Sequence, residues 1–272
     1  MNISFESRSG SAGRPNEDWA AATPHSVVVL DGVTAPRLLP ETGCLHNVPW
    51  YTHHLGTRMI ALMDESLDLP AVLAAAIESV ADLHRDTCNL VSPAIPSAVV
   101  AMLRHRGDVV DYLVLADAVI ALDTCNGIQI ISDTRVEQAA PEATARTRED
   151  PIGSPEHQQA VAIMSVEQLK RRNVEGGYWV AGADTEAAAQ AIVGQIPAAE
   201  LRRAAILSDG ASRVVDTFHE MNWSDCLDYL DEQGPHGLIN HVRQIENSDP
   251  EGLMWPRFKT SDDATAALIR MC

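Results

Sequence analysis

Three short apolar runs, each with acids at one end, constrain the fold of this chain most. "SVVVLDG" ends in Asp31-Gly32, "RRAAILSDG" ends in Asp209-Gly210, and "ATAALIRM" follows directly on Asp262-Asp263. Runs of this length and β-branched content suit short strands in a sheet, so the acids stand at strand ends. A further acidic pair, Glu17-Asp18, lies just before the first of these strands. Carboxylates gathered at one sheet edge repel one another, and the physical remedy is a hard divalent cation with oxygen ligands. Taken singly, each Asp-Gly is also ordinary turn chemistry. Only their joint occurrence points to a metal.

The remaining patterns fill in a sheet-rich frame. "NISFESRS" alternates as a strand does, while 48–67 and 69–88 carry apolar residues at helical spacing, the second with Pro70 in its first turn. They predict a helical hairpin. "SAVVAMLR", "VVDYLVLA", "AVIALD" and "GIQIIS", separated by turn residues, predict an antiparallel meander. Beyond "EDPIGSPE", helices are expected over 156–173 and 184–196, flanking a short strand "GYWVAG". Without regular alternation of strand and helix, the expected class is α+β, with antiparallel sheets covered by helices. No linker, repeat or low-complexity tract divides the chain, so residues 1–272 are expected to form one domain.

Charge and composition exclude several functions. A formal net charge of −18, with "LKRRN" as the one dense basic stretch, opposes nucleic-acid binding, which needs clustered Lys and Arg against phosphates. No apolar run reaches membrane-spanning length and no secretory leader pattern opens the sequence, so a cytoplasmic protein without a membrane role is expected. The five cysteines, Cys44, Cys88, Cys125, Cys226 and Cys272, lack any C-x-x-C pairing, so they read as reduced, mostly buried thiols rather than a zinc knuckle or disulfide framework. Trp50-Tyr51, Trp223 and Trp255 read as packing residues, and His46, His53 and His54 as ordinary helix or loop residues.

In order and spacing, "RPNEDWAA", "VVVLDGVT", "PSAVVAML" before "DYLVLADAVIAL", "AAILSDGAS" and "SDDATAALI" resemble the metal-dependent serine/threonine protein phosphatases of the PPM (type 2C) family. The resemblance runs through nearly the whole chain. It implies a central β-sandwich of two antiparallel sheets with helices on both outer faces, and a centre for two divalent cations, Mn²⁺ or Mg²⁺, at one end. By motif position it implies Asp18, Asp31, Asp209 and Asp262 as metal ligands with the Gly32 carbonyl, and Glu17 acting through water. By the same resemblance Asp31 and Asp209 would carry the catalytic ions, Arg14 would be the phosphate-binding residue, and Asp117 would be a candidate ligand of a third, weaker ion. Asp263 falls where the family has Asn and is a further weak or water-mediated candidate.

The pattern departs from the family at defined points. Arg14 lies three residues before Glu17, one fewer than usual, with Arg8 as a substitute; "DGVT" stands for Asp-Gly-His and "LADAV" for Gly-Asp-Ser. The leading expectation is therefore a phosphomonoesterase acting on phosphoserine or phosphothreonine of a protein substrate through a two-metal-activated water. The alternative is a PPM-fold regulatory or binding module with little or no turnover. A phosphotransferase with Asp31 as covalent nucleophile would need a second acid after the strand, and "DGVT" lacks it.

Overall fold

The computed structural model describes residues 1–34, 43–63 and 66–271. Parts of the expected helix over 48–67, of the loop that precedes it, and Cys272 lie outside the described residues. Ten strands form two five-stranded antiparallel sheets. The first contains β1 (Asn2–Arg8), β6 (Val119–Thr124), β7 (Gly127–Ile131), β9 (Leu201–Leu207) and β10 (Ala264–Arg270) in the order β1-β10-β9-β6-β7. The second contains β2 (Trp19–Ala22), β3 (Ser26–Val33), β4 (Ser97–Arg106), β5 (Val109–Leu115) and β8 (Ile192–Pro197), in the order β2-β3-β4-β5-β8.

The apolar runs are continuous because their strands are covered on both sides. In β3, Val27 and Val29 enter the core between the sheets, whereas Val28 and Leu30 pack under α1 (Val48–Leu62) and α2 (Leu69–His84). β10 repeats the division: Ala267 and Ile269 face the other sheet, and Ala266 and Leu268 face α6 (Asp209–Asp216) and α7 (Trp223–Ser248). Successive side chains of a strand point to opposite faces, so a four-layer helix–sheet–sheet–helix stack demands apolar residues at every position. Both helices of the first pair start on a side-chain cap, Asn47 and Asp68, with proline in the first turn.

Three local expectations are corrected. The four predicted strands are not one meander: β5 and β6 lie in different sheets, and the chain crosses between them at "LADAV", where Ala116 adopts φ 67°. The predicted helix over 184–196 is a 3-10 turn, Thr185–Gln190, followed by the edge strand β8. Its "IVGQI" pairs with Val110–Val114, and a side chain at Gly194 would collide with the Tyr112 ring, so packing on an exposed edge overrides the alanine-rich helical pattern. "GYWVAG" contributes two isolated bridges, Ala181 to Ala98 and Tyr178 to Arg172, rather than a strand. Among the described residues, four helices were not announced by the pattern: α3 (Arg135–Ala139), α4 (Pro141–Arg146), α6 and the long α7; α5 (Pro155–Leu169) lies inside the expected 156–173 apart from its first residue. α7 hides its period by breaking at Gly234, φ 69°, ahead of Pro235.

Candidate metal centre

Strand ends from both sheets meet where the acids were expected. Asp31 closes the apolar part of β3, Asp18 immediately precedes β2, Asp209 opens α6 directly after β9, and Asp262 leads into β10. Asp117 arrives on the β5–β6 crossing. Two glycines permit the approach: a Cβ on Gly32 would lie 2.5 Å from the Glu17 carbonyl oxygen, and one on Gly210 would lie 1.9 Å from that of Asp263.

The convergence is visible in the acidities. Burial, reinforced by the charges of Asp262 and Asp209, pushes Asp18 up to about 8. Burial raises Asp31 well above the carboxylate range, with Asp18, Asp209, Asp262 and Asp117 all adding to the effect. Burial and the Asp209 charge push Asp117 up to about 7. Asp209 is also raised, by burial and Asp262, although Arg213, Lys259 and a hydrogen bond with Asp31 oppose the rise. These carboxylates, drawn from 18 to 262 in sequence, titrate as neighbours.

Asp18 is held by one of its two carboxylate oxygens. Its Oδ2 accepts from the Thr265 hydroxyl at 2.7 Å, while its Oδ1 is buried and has no hydrogen-bond partner. The Thr265 proton is thereby committed, so Ser7 donates to Thr265 at 2.7 Å and accepts from the Asn16 amide at 2.7 Å. A relay from Asn16 through Ser7 and Thr265 thus fixes one carboxylate oxygen and leaves the other bare. A buried bare oxygen beside other acids fits a hard cation. Among the described residues, no three acidic residues bring one carboxylate oxygen each within 4.8 Å of one another.

Two cations of the chain, Arg213 and Lys259, already pair with these acids, and neither was anticipated. Arg213, one turn into α6, pairs with Asp262 at 3.1 Å and with fully buried Glu246 at 2.8 Å. Lys259 Nζ pairs with the other Asp262 oxygen and also feels Asp209 and Asp31. Burial works to raise Asp262, yet Lys259 and Arg213 hold it below the usual range. A reading that looked for ligands overlooked both; the signals were a basic residue four positions after Asp209 and another three before Asp262.

The other candidates are placed differently. Asp263 gives both carboxylate oxygens to backbone amides, Gly10 at 2.8 Å and Glu17 at 2.6 Å, which fastens the segment 10–17 over the site. Glu17 accepts from the Thr34 hydroxyl, and burial raises its carboxyl. Arg14 is exposed on that same segment. Arg8 turns away to Asn240 at 2.6 Å and Glu6 at 3.3 Å.

This architecture has known counterparts. PstP of Mycobacterium tuberculosis, a serine/threonine phosphatase, superimposes with a TM-score of 0.57 at 14% identity, over 99% of this chain and 98% of that one. The PPM Ser-Thr phosphatase MsPP from Mycobacterium smegmatis matches at 0.58 and 13% identity, over 100% and 99% of the two chains. The chain has the PPM phosphatase fold. No family model and no curated protein sequence matches the chain. Within the PPM fold, the serine/threonine phosphatase Stp1 from Staphylococcus aureus aligns at 0.58 with 11% identity, over 100% of this chain and 95% of its own. The PstP catalytic domain was also solved with two manganese ions, and matches at 0.56 and 14% identity, over 99% and 97% of the chains. Among the described residues, no helix is long and apolar enough to cross a membrane.

Proposed function

We propose that this chain is a metal-dependent phosphomonoesterase that hydrolyses phosphoserine or phosphothreonine in a protein substrate. The observation that carries this reading is the buried, unpartnered Asp18 Oδ1 among acids whose affinity for protons is raised by one another. The PPM fold of the solved phosphatases supports it. Asp18, Asp31, Asp209 and Asp262, with the Gly32 carbonyl, would hold two divalent cations, Mn²⁺ or Mg²⁺; Glu17 and Asp117 would lie at the edge of the set. Such ions, when bound, supply positive charge that acidifies water and offsets the charge of a phosphoryl group.

The chain's own residues do the positioning. The Asn16–Ser7–Thr265 relay orients Asp18, and Ser208, whose hydroxyl accepts from the Thr265 amide at 2.9 Å, ties the start of α6 to β10. Arg213 fixes one oxygen of Asp262. Asp263 holds segment 10–17 in place, and Arg14 on its exposed side meets the incoming phosphate. Half-buried Asp117, whose carboxyl is pushed up to about 7 by burial and the Asp209 charge, would hold or yield a proton close to neutral pH.

The test compares Asp31→Asn and Asp209→Asn on p-nitrophenyl phosphate and a phosphothreonine peptide. Each should lose roughly a hundredfold or more in kcat, and the double variant should be little worse than either, because groups acting on one centre are not additive. Near-normal turnover in both single variants would refute the reading. Metal binding by the wild type without turnover on any phosphoester would assign the chain to a regulatory role instead.

A further inference from the structure

A second metal-ligating cluster lies away from the acids, and its donors are soft. Cys44, His84 and Cys88 bring two sulfurs and an imidazole nitrogen within 4.8 Å of one another, the one such group among the described residues. Cys44 Sγ lies 3.5 Å from His84 Nδ1. A tetrahedral zinc ion with Zn–S of about 2.3 Å and Zn–N of about 2.0–2.1 Å sets its sulfur and nitrogen ligands about 3.5–3.6 Å apart. The observed edge has the length that a shared ion would impose.

The two halves of the cluster come from segments that are separately anchored and then joined. His84 is the last residue of α2, and the Cys88 amide donates to the His84 carbonyl at 2.9 Å, so one further turn folds Cys88 back beside the ring. The preceding segment crosses this turn: the Asn89 amide donates to the Gly43 carbonyl at 3.0 Å. The Leu45 amide donates to Cys88 Sγ at 3.3 Å. Amide-to-sulfur bonds of this kind serve a thiolate that carries charge, and orient it as an outer shell orients a metal ligand. Gly43 sits at φ 71°, a conformation that lets the backbone pass this close to Asn89.

His46 stands beside this group, outside its 4.8 Å set. Its ring meets that of His84 edge-on, 5.6 Å between centroids, and stacks on Trp50 at 3.9 Å. Trp50 in turn lies 5.1 Å from His84, walling one side of the cluster with an apolar ring. The pattern is therefore C-x-H followed by H-x-x-x-C, with 37 intervening positions between His46 and His84. The sequence reading set zinc aside for want of a C-x-x-C pair; the structure assembles an equivalent donor set from mixed pairs. The same geometry corrects the expectation of mostly buried thiols, since Cys226 is buried but Cys44 and Cys88 are half-buried and Cys125 is exposed.

We propose that Cys44, Cys88 and His84, completed by His46, form a structural zinc site that fastens the segment entering α1 to the end of α2. Two sulfurs and two imidazoles select a borderline-soft tetrahedral ion over Mg²⁺ or Mn²⁺, which want oxygen. Binding converts both thiols to thiolates and releases their protons to solvent, so affinity rises with pH. The site is independent of the acidic centre: Val48 of α1 packs near Gly32, but none of the four donors is among the proposed phosphatase ligands.

The full-length chain, purified with reductant and held in excess Mg²⁺ to occupy oxygen sites, is titrated with Co²⁺ and then Zn²⁺. The expected result is the intense visible spectrum of tetrahedral cobalt with thiolate charge transfer, bleached by zinc at one ion per chain. Cys44→Ser and Cys88→Ser abolish it, His46→Ala weakens binding by roughly tenfold or more, and Asp31→Asn and Cys125→Ser leave it intact. In case the cysteine variants fail to fold, alkylation of the wild type gives a second measure: zinc should shield Cys44 and Cys88 while Cys125 stays reactive. Absence of the thiolate–cobalt spectrum in the folded wild type, its persistence in both cysteine variants, or a Cys44–Cys88 disulfide formed under reductant would each overturn the proposal.

Discussion

Lys259 is a cation of the chain placed where divalent cations are expected, and replacing it makes a quantitative test. Its ammonium pairs with Asp262 and faces Asp209 and Asp31, so it and an incoming ion compete for the same negative potential. Unit charges in contact near a protein surface interact by about 4 kcal/mol at an effective dielectric constant near 20. The Lys259 side chain is 54% exposed, and solvent screening reduces that attraction severalfold, to about 1–2 kcal/mol. Lys259→Met keeps the aliphatic stem and removes the charge. Calorimetric titration of the metal-free variant with Mg²⁺ or Mn²⁺ should show the first ion bound roughly 5–30 times more tightly than by wild type. The metal-free variant should also melt lower, with the two melting points drawing together once metal saturates the site. Unchanged or weaker affinity in a folded Lys259→Met would refute the competition, and would mean that the lysine leaves the cluster or that Asp262 binds no ion.

Three further outcomes follow from the same geometry. Asp18 rises from 3.8 to about 8 on folding, so the metal-free native state binds more protons than the unfolded chain between those values and its stability should fall as pH rises from about 4 to 8; chemical denaturation across that range should show the decline, and saturating Mg²⁺ should flatten it. Gly210→Ala places a methyl 1.9 Å from a backbone oxygen that cannot move aside cheaply, and should cost about 1–3 kcal/mol, read as a lower Tm. Arg14→Ala should raise KM for a phosphopeptide by roughly tenfold or more with little change in thermal stability, since the residue is exposed and its loss removes a charge-assisted contact.

The parts of the fold legible in the sequence were those in which local pattern and tertiary role coincide. β3 carries an apolar run closed by Asp31, and β9 ends in Ala204–Leu207, separated from Asp209 by Ser208 alone; the acids stand at strand ends because the interior could not take them. The crossing from β5 to β6 was not legible, since a strand buried on both faces reads the same whichever sheet it joins. β8 was hidden by alanines that belong to the preceding 3-10 turn, and α7 by a glycine and proline that break its period without ending it. In the site, ligand chemistry announced the acids, but Lys259 and Arg213 act through charge balance, which no short motif encodes. The Cys-His cluster depends on contact across forty positions, from Cys44 to His84, and spacing rules built on local pairs miss it.

β1 and β10 are partners at full register, from Asn2 opposite Arg270 to Arg8 opposite Ala264. β10 is the one neighbour of β1 in its sheet. During vectorial synthesis, therefore, β1 waits for its partner until the chain has been made through residue 270. Asp18 likewise waits for the Thr265 hydroxyl, and Gly10 and Glu17 for the carboxylate of Asp263. A nascent chain stalled before residue 262 holds three of the four principal acids but cannot seat Asp18 or close segment 10–17. The acid cluster is therefore completed only once β10 is paired, late in the order of synthesis.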